Sequence, residues 1–544
     1  MGALTGTGRL IRLALRRDRV KLPMWILAII AFMAIEVPAI NEVYGKTEES
    51  RATYAATTAS SLVSRLFGGP IGGPELGEIL NNETFAFMAV LVAFMSTLLI
   101  VRHTRQNEET GRSEIIASAV VGRNAALTAA LIVALGANVV AATLLALTMI
   151  GFGLPAEGSI ATATAYGAIG ICFAGIAAIT AQVADSARSA NGLAAAAVGI
   201  FFLLRAVGDA LGKINPDGMS VTSSWPSWLS PIGWGQQIHG FVQANWAIFG
   251  LFGAFIMLAT ATAYYLNAKR DVGLGMLPAR KGPAYAARSL LSTWGLARRL
   301  QRGTLIGWSI VFIVMGLTTG LISKEFASFF DSSPELRQYL EAIGGGEHIH
   351  DVLFSAMTAL MGITAGAYVI HGLQRMRSEE SNGHLEPVLG TSVNRKLWVL
   401  SHFVYVATGA VIVMVLFGIS TGVAYLLVEE SASLGDIWRL TIASLAYVPA
   451  LLVIGGAAAL TFGLLPRATV ALSWLVFVFC LFVSQFGELL KIPQVIVNIS
   501  PFTHIPPMPS EPFALLPAAV LTVAGLLLLA AALLSFRRRD LTTA

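Results

Sequence analysis

Twelve runs of mainly apolar residues are the feature that most limits how this chain can fold. Each run is close to the roughly 20 residues that an α-helix needs to cross the hydrocarbon core of a bilayer. The runs are 22–40, 84–101, 125–150, 160–181, 192–211, 246–266, 304–322, 352–370, 399–426, 440–464, 469–486 and 514–536. Of the 544 residues, 55% are hydrophobic and only 12% are charged, whereas a soluble domain is about one quarter charged. Because water cannot solvate so much apolar surface and lipid can, the runs predict an all-α polytopic membrane protein with twelve transmembrane helices.

The basic residues are gathered beside the apolar runs. One cluster precedes the first run, one lies between the sixth and the seventh, and one follows the last. They are Arg9, Arg12, Arg16, Arg17 and Arg19; Lys269, Arg270, Arg280, Lys281, Arg288, Arg298, Arg299 and Arg302; and Arg537, Arg538 and Arg539. Since Lys and Arg concentrate in cytoplasmic loops, both termini and the central connection are predicted to be cytoplasmic. The net charge of +5 lies in these flanking clusters and not on a polar domain, so no nucleic-acid partner is indicated.

The two halves of the chain share anchors in the same order. Arg16, Arg19 and Trp25 match Arg299, Arg302 and Trp308; the Leu-Ser-Pro at 229–231 matches the Ile-Ser-Pro at 499–501; and the Lys-Arg-Asp at 269–271 matches the Arg-Arg-Asp at 538–540. A repeated order at a nearly constant offset indicates an internal duplication. It predicts a first six-helix half at 1–271, a cytoplasmic linker and connecting helix at 272–303, and a second six-helix half at 304–544.

A matched pattern of charged residues and glycine follows the second apolar run of each half. Its members are Arg105, Glu108, Gly111, Glu114 and Arg123 in the first half, and Arg377, Glu380, Gly383, Glu386 and Arg395 in the second, all at an offset of 272. Arg and Glu three residues apart share a helix face and can pair, and glycine permits a sharp change of backbone direction. The pattern predicts a short cytoplasmic helix and a polar knuckle. The plainer interpretation is a solvated loop whose arginines only set the membrane topology.

This pattern resembles the coupling region of type-2 ABC exporter permeases. More narrowly, the segment WLSPIGWGQQIH at 228–239, the twelve runs and the Arg-Arg-Arg-Asp ending are similar to the tetronasin-type antibiotic exporter permeases of actinobacteria. The resemblance covers essentially the whole chain. It departs from strict duplication at 498–504, where NISPFTH replaces the Trp-rich version of the first half. The two outer loops are therefore not expected to be equivalent.

The resemblance implies a type V exporter-like fold of two tandem pseudo-symmetric halves, with cytoplasmic connecting helices at 9–21 and 288–302. It also implies that both knuckles dock on a separate ABC ATPase, present in two copies as a homodimer, which binds ATP and Mg²⁺. The sequence has no G-x-x-x-x-G-K-[ST] loop for a nucleotide triphosphate. We therefore expect this chain to be no enzyme and to bind no cofactor of its own. With only Cys172 and Cys480, both inside apolar runs, no cysteine-based metal site is predicted.

Polar residues inside apolar runs are candidates for function. Arg205 and Asp209 share a helix face near the outer end of the fifth run, and Gly208-Asp209 has an apparent counterpart in Gly487-Glu488. Arg205, Asp209 and Glu488 are interpreted as part of an outer gate, or alternatively as charges that snorkel to the membrane interface. Candidate substrate-path residues are Phe85, Phe87, Met88, Phe94, Met95, Phe354, Met357 and Met361. Methionine and aromatic faces adapt to varied apolar ligands, but they are also ordinary packing between helices.

These features together predict a permease subunit that exports hydrophobic drugs or antibiotics across a bacterial plasma membrane, using ATP hydrolysed by its partner. The abundance of Ala, Gly and Arg over Lys is typical of a GC-rich bacterial source. Three alternatives stay open. Two parallel six-helix halves also describe a proton-coupled secondary multidrug transporter. The cargo could instead be a lipid or glycolipid, and a membrane protein that binds an antibiotic and signals to a partner would show binding without net flux.

Overall fold

The computed structural model describes residues 2–271, 273–276, 284–331, 349–486 and 492–541. Nearly all of this chain is helical, and it divides into two units, Met1–Gly282 and Pro283–Ala544. Eleven helices of the described chain are long and apolar enough to cross a membrane. The eleventh predicted run, 469–486, also forms an apolar helix, but with 18 residues it is shorter than these eleven helices and is not counted with them. The polytopic all-α prediction is confirmed, while the number twelve stays a prediction.

The first unit contains helices α1 to α13 and one short hairpin. The helices are α1 Thr7–Arg17, α2 Lys21–Tyr44, α3 Glu48–Ser60, α4 Leu62–Phe67, α5 Leu76–His103, α6 Arg105–Glu109, α7 Arg112–Ala117, α8 Ala125–Gly151, α9 Ala156–Val183, α10 Ala187–Ala210, α11 Pro231–Gln236, α12 Gly240–Gln243 and α13 Ile248–Lys269. Strands β1 Lys213–Ile214 and β2 Val221–Thr222 pair antiparallel, and a 3₁₀ turn covers Trp225–Leu229. The long helices α2, α5, α8, α9, α10 and α13 correspond to the first six apolar runs.

The second unit contains helices α14 to α22. They are α14 Thr293–Asp331, α15 Ile349–Ser381, α16 Leu385–Leu389, α17 Arg395–Val428, α18 Leu434–Leu445, α19 Val448–Leu464, α20 Thr469–Phe486, α21 Gln494–Val497 and α22 Leu515–Arg538. Two 3₁₀ turns cover Arg288–Leu291 and Pro501–His504. The basic segment before the seventh run does not form a separate helix over its whole length, because α14 begins at Thr293 and continues through that run.

Helix starts in both units carry the side-chain caps that local sequence favours. Ser186 accepts a hydrogen bond from the Ser189 amide at the start of α10, and Asn394 accepts one from the Lys396 amide at the start of α17. Ser433 and Asp436 form a reciprocal capping box at the start of α18. Each cap satisfies amides that the first turn of a helix leaves unpaired, which matters where water is scarce.

Small residues set the closest helix contacts inside each unit. In the first unit, a Cβ on Gly170 of α9 would lie 1.8 Å from Oδ1 of the buried Asn138 of α8, whose Nδ2 donates to Ser96 of α5 at 2.8 Å. In the second unit, a Cβ on Gly456 of α19 would lie 2.7 Å from the carbonyl oxygen of Gly525 in α22. Close backbone approach and polar links of this kind replace the hydrophobic effect, which does not drive association between helices in lipid.

Candidate functional site

The first knuckle, residues 105–123, is built around Glu108. Its carboxylate accepts hydrogen bonds from Arg105 Nη1 at 2.6 Å and Arg270 Nη1 at 2.8 Å, and Arg270 Nη2 donates to the other oxygen. Gly111 separates α6 from α7 and has φ of 71°, in the left-handed region that favours glycine. The predicted pairing of Arg105 with Glu108 is therefore present, and a second arginine from the end of α13 joins it.

Backbone carbonyls complete the first knuckle. Arg105 is 1% exposed and donates through Nη2 to the carbonyl of Asp185 at 2.6 Å. Arg123 donates to the carbonyl of Arg270 at 2.9 Å, so both arginines that flank the knuckle are tied to other segments of the unit. Charge-assisted bonds of this length are roughly twice as strong as neutral ones. The arginines at both ends of the first knuckle are therefore held by bonds to other segments of the unit.

The second knuckle, residues 377–395, has the same chemistry on a different backbone. Glu380 is 1% exposed and receives two parallel bonds from Arg539, Nη1 to Oε1 and Nη2 to Oε2, both at 2.9 Å. Arg377 lies 3.4 Å from the same carboxylate, and Arg395 donates to the carbonyl of Arg539 at 2.8 Å. Here α15 runs on through Arg377 and Glu380 to Ser381, where the first unit has the separate short helix α6. The turn again uses a left-handed glycine, with φ of 73°.

Sequence reasoning missed the partners Arg270 and Arg539. Both had been noticed as repeat anchors at the ends of the halves, at an offset of 269, close to the 272 of the knuckle residues. Their spacing from the knuckle, 162 and 159 residues, is far too long for a local pattern to reveal. The similarity of these two offsets, 269 and 272, was the available sequence signal that each arginine pairs with the glutamate of its own unit.

The four predicted coupling carboxylates fall into two kinds. Glu108 and Glu380 are held by arginines inside the protein, as described above. Glu114, at the start of α7, and Glu386, in α16, are exposed and form no ion pair with described residues. Ile115 beside Glu114 is 74% exposed. Only the second kind presents its charge at the surface of the unit.

The N-terminal helix is attached to the first knuckle by a polar cluster. Asp18, just after α1, contacts His103 Nε2 at 2.5 Å and Arg102 Nη1 at 2.6 Å, while Arg17 donates to Asn107 of α6 at 2.7 Å. Burial by itself raises the pKa of Asp18, but the hydrogen bond from His103 and the neighbouring positive charges outweigh it, so the pKa lies below its usual value. The predicted connecting helix of the first half thus contacts the predicted coupling helix.

The outer ion pair is enclosed by protein. Arg205 and Asp209 of α10 are both 0% exposed, with Nη1 and Oδ2 3.5 Å apart. Asp209 also accepts from Ser223 Oγ at 2.6 Å, and Ser223 accepts from Gln237 Nε2 at 2.7 Å. Because neither charge reaches the surface, the snorkelling interpretation does not describe this pair. Its predicted counterpart Glu488 lies outside the described residues.

The predicted substrate-path residues are mostly packed inside the two units. Phe85, Met88 and Met95 are at most 1% exposed in the core of the first unit, and Phe85 stacks on Tyr166 with ring centroids 4.8 Å apart. Phe354 and Met361 are similarly buried in the second unit, with Phe94 and Met357 half-buried and Phe87 exposed. Most of these side chains therefore fit the plainer interpretation, ordinary packing between helices.

A groove of about 610 Å³ lies between α8, α9 and α13 of the first unit. Its walls include the small residues Ala142, Gly167, Ala168 and Gly253 and the rings of Phe249 and Phe252. No ionisable side chain is among its described lining residues; Asn138, Thr143 and Thr164 supply the polar groups. Small-molecule sites typically measure about 300–1,000 Å³. In the second unit, the space between α15, α17 and α19 is only about 10 Å³. The sequence analysis did not find this groove, although a run of small residues on facing helices was a signal for it.

Metal binding has no support in the described part of the chain, where no three His, Cys, Asp or Glu side chains lie together. A bundle of long apolar helices with ion pairs at both ends and an uncharged groove between helices defines a multi-pass membrane permease.

A comparison with known proteins then identifies the family. The chain is 32% identical over 541 residues to the multidrug efflux system permease protein Rv1217c of Mycobacterium tuberculosis (strain ATCC 25618 / H37Rv), covering 98% of this chain and 95% of that one. Residues 290–537 match the family described as "Multidrug efflux system permease Rv1217c, C-terminal domain". The chain belongs to this family of efflux permeases.

Proposed function

We propose that this chain is the membrane-spanning permease subunit of an ABC exporter that carries hydrophobic drugs or antibiotics outward. The observation that supports this most is the pair of knuckles, each with one glutamate clamped by arginines, partly buried in the first and buried in the second, and an exposed glutamate beyond a left-handed glycine. A rigid support behind an exposed charge suits a surface that must transmit force from a partner. The printed name of the relative, a multidrug efflux system permease, agrees with this role.

The proposal includes the finer architecture of the family resemblance. Twelve helices form two pseudo-symmetric halves of the tetronasin type in a bacterial plasma membrane, with both termini cytoplasmic. Each knuckle contacts one copy of an ATPase homodimer, which binds ATP and Mg²⁺. Glu114 and Glu386, with the apolar Ile115, form the contact surface, while Glu108 and Glu380 keep each knuckle rigid.

The groove between α8, α9 and α13 supplies the substrate class. Its lining is apolar and uncharged, and it lies among membrane-spanning helices, so its occupant is an uncharged small molecule that partitions into the bilayer. A charged headgroup would find no partner there, and burying one unpaired is costly. Drug-like molecules therefore fit this surface better than anionic lipids.

Transport assays in reconstituted vesicles test the proposal directly. The permease is reconstituted with and without a candidate P-loop ATPase partner, and efflux of an uncharged hydrophobic dye is followed. We expect transport only with the ATPase and Mg-ATP. Transport by the permease alone on a proton gradient would instead identify a secondary transporter, and tight dye binding with no flux under either condition would identify a sensor. An excess of glycolipid that blocks dye efflux would shift the cargo to lipid.

A further inference from the structure

The start of α10 is held by the first knuckle through three contacts. Arg270 Nε donates to Gln182 Oε1 at 2.5 Å at the end of α9, and Arg105 donates to the carbonyl of Asp185 in the turn that follows. Glu109 Oε2 then accepts the first amide of α10, from Ala187, at 2.9 Å. Gln182 is 1% exposed, so the first of these contacts is shielded from water. The turn between α9 and α10 is therefore attached to the knuckle at three successive places.

The far end of α10 is attached just as closely to the outer segment 223–237. Asp209 is bonded to Ser223, as described above, and Ser224 donates its amide to the carbonyl of Gly208 at 2.8 Å. Ser230 donates its hydroxyl to the carbonyl of Phe201 at 2.7 Å. The 24 residues of α10 span about 36 Å at 1.5 Å per residue. One helix thus has one end bonded to the knuckle, which the proposed function treats as the ATPase contact, and the other end bonded to the segment beside the predicted outer gate.

We propose that α10 transmits movement of the first knuckle to the outer segment, and that Gln182 and Glu109 are the positioning residues that make this connection. The inference rests on the proposed function, since it assumes that a partner moves the knuckle. A helix can transmit displacement only when both of its ends are fixed to the moving parts, and these two side chains fix the inner end. Neither residue is among the lining residues of the groove.

In the described part of the second unit, the contacts of Glu109 and of Arg270 with the α10 end are not repeated. The position that matches Glu109 at the offset of 272 is Ser381, whose hydroxyl donates to the carbonyl of Ser378 in its own helix at 3.3 Å. Arg539, the counterpart of Arg270, lies over the rings of Phe462 and Phe536 at 5.0 and 5.2 Å, where Arg270 binds the amide of Gln182. We therefore assign the transmission to the first unit.

A thiol reporter on the outer segment tests this inference in the complete complex. Cys172 and Cys480 are both buried, so Trp225→Cys, at a position 71% exposed, adds an accessible reporter for a membrane-impermeant maleimide. Permease and ATPase are reconstituted together, and the labelling rate is measured with and without Mg-ATP, alongside ATP hydrolysis and dye efflux. In the reporter protein we expect the labelling rate to change with nucleotide.

Gln182→Leu removes the amide that Arg270 binds and keeps a side chain of similar size. We expect it to reduce the nucleotide-dependent change in labelling, and the dye exported per ATP, by about 2- to 30-fold, the range of coupling energies along such a path. ATP hydrolysis should continue. Gln243→Leu, the same substitution at an exposed glutamine outside the outer segment, should match the reporter protein.

Two variants of Glu109 test the inference independently if the Gln182→Leu protein does not accumulate in the cell. Glu109→Ala removes the acceptor for the Ala187 amide and should lose coupling, whereas Glu109→Gln keeps an acceptor oxygen and should restore it. The inference would be overturned by unchanged reporter labelling and unchanged dye export per ATP. This result would have to hold in Glu109→Ala and in any Gln182→Leu protein that folds. Export by the reporter protein without any ATPase would instead contradict the proposed function, so the two failures are distinguishable.

Discussion

At the scale of single residues, the knuckle end of both units depends on carboxylates that are paired with arginines and buried or partly buried. A buried ion pair costs desolvation energy, and removing one partner is strongly unfavourable because the other charge remains unpaired. Glu108, Glu380 and Asp18 each contact at least two basic side chains. These three carboxylates therefore act mainly by positioning neighbouring segments precisely. Any net gain in stability from their ion pairs is secondary.

Asp18→Asn is expected to destabilise the first unit by about 2 kcal/mol at neutral pH, because hydrogen bonds to charged groups contribute about 1.5–3 kcal/mol. The lowered pKa of Asp18 makes this contribution fully present above the ordinary value of 3.8, and the contribution is lost as the pH falls through the lowered pKa. Thermal unfolding in detergent should show a gap between parent and variant at pH 7 that closes below about pH 3.8. Glu157→Gln, at an exposed carboxylate, serves as the control. A gap that stays constant into acid would contradict the assignment.

At the scale of elements, the two units differ in how tightly equivalent helices pack. In the second unit α19 and α22, the counterparts of α9 and α13, meet backbone to backbone through Gly456 and Gly525. In the first unit α8, α9 and α13 stand further apart and enclose the groove. The groove thus follows from side-chain choice on facing helices and not from any irregular backbone.

Gly253→Trp is expected to fill the groove and block transport. A Cβ at Gly253 meets no heavy atom within 4 Å, so the indole can extend into the groove without disturbing α13. We expect dye efflux to fall at least tenfold while ATP hydrolysis and expression persist, since roughly 1.4 kcal/mol of lost binding already gives that factor. Gly250→Trp, three residues earlier on the same helix, has equally open space but does not line the groove, and it should behave as the parent. Equal efflux by both variants would place the substrate elsewhere.

At the scale of the whole molecule, the class of protein and the positions of the long helices could be predicted from the sequence. Apolar length and charge clusters act locally, so they located eleven helices to within a few residues at most ends. The arginine partners, the fully buried state of Arg205 and Asp209, and the groove could not be located this way. Each depends on which distant helices pack together, and a single sequence does not determine that. The predicted Phe and Met residues do not identify a cavity for the same reason. An adaptable side chain fills a core as readily as it lines a path.

Replacing both exposed knuckle glutamates tests the assembly as a whole. The double variant Glu114→Lys with Glu386→Lys is expected to weaken association with the proposed ATPase partner at least tenfold, because reversing two charges at an electrostatically complementary interface costs several kcal/mol. Co-purification and the salt dependence of binding are the measurements. The permease alone should keep the stability of the parent, since neither side chain pairs with described residues. Glu157→Lys, the same charge reversal at a single exposed glutamate outside the knuckles, is the control. Undiminished capture of the double variant would exclude these faces as the contact.

Arg270 and Arg539, which pair with the knuckle glutamates, form further contacts of different stiffness. Arg270 binds Gln182 through a hydrogen bond, which weakens steeply when its angle departs from linear. Arg539 lies over two aromatic faces, and attraction to a ring face varies gently with lateral position. In the proposed complex, an equal displacement of both knuckles would be transmitted as a rigid tilt in the first unit and partly lost to sliding in the second, so the two units would not respond equally.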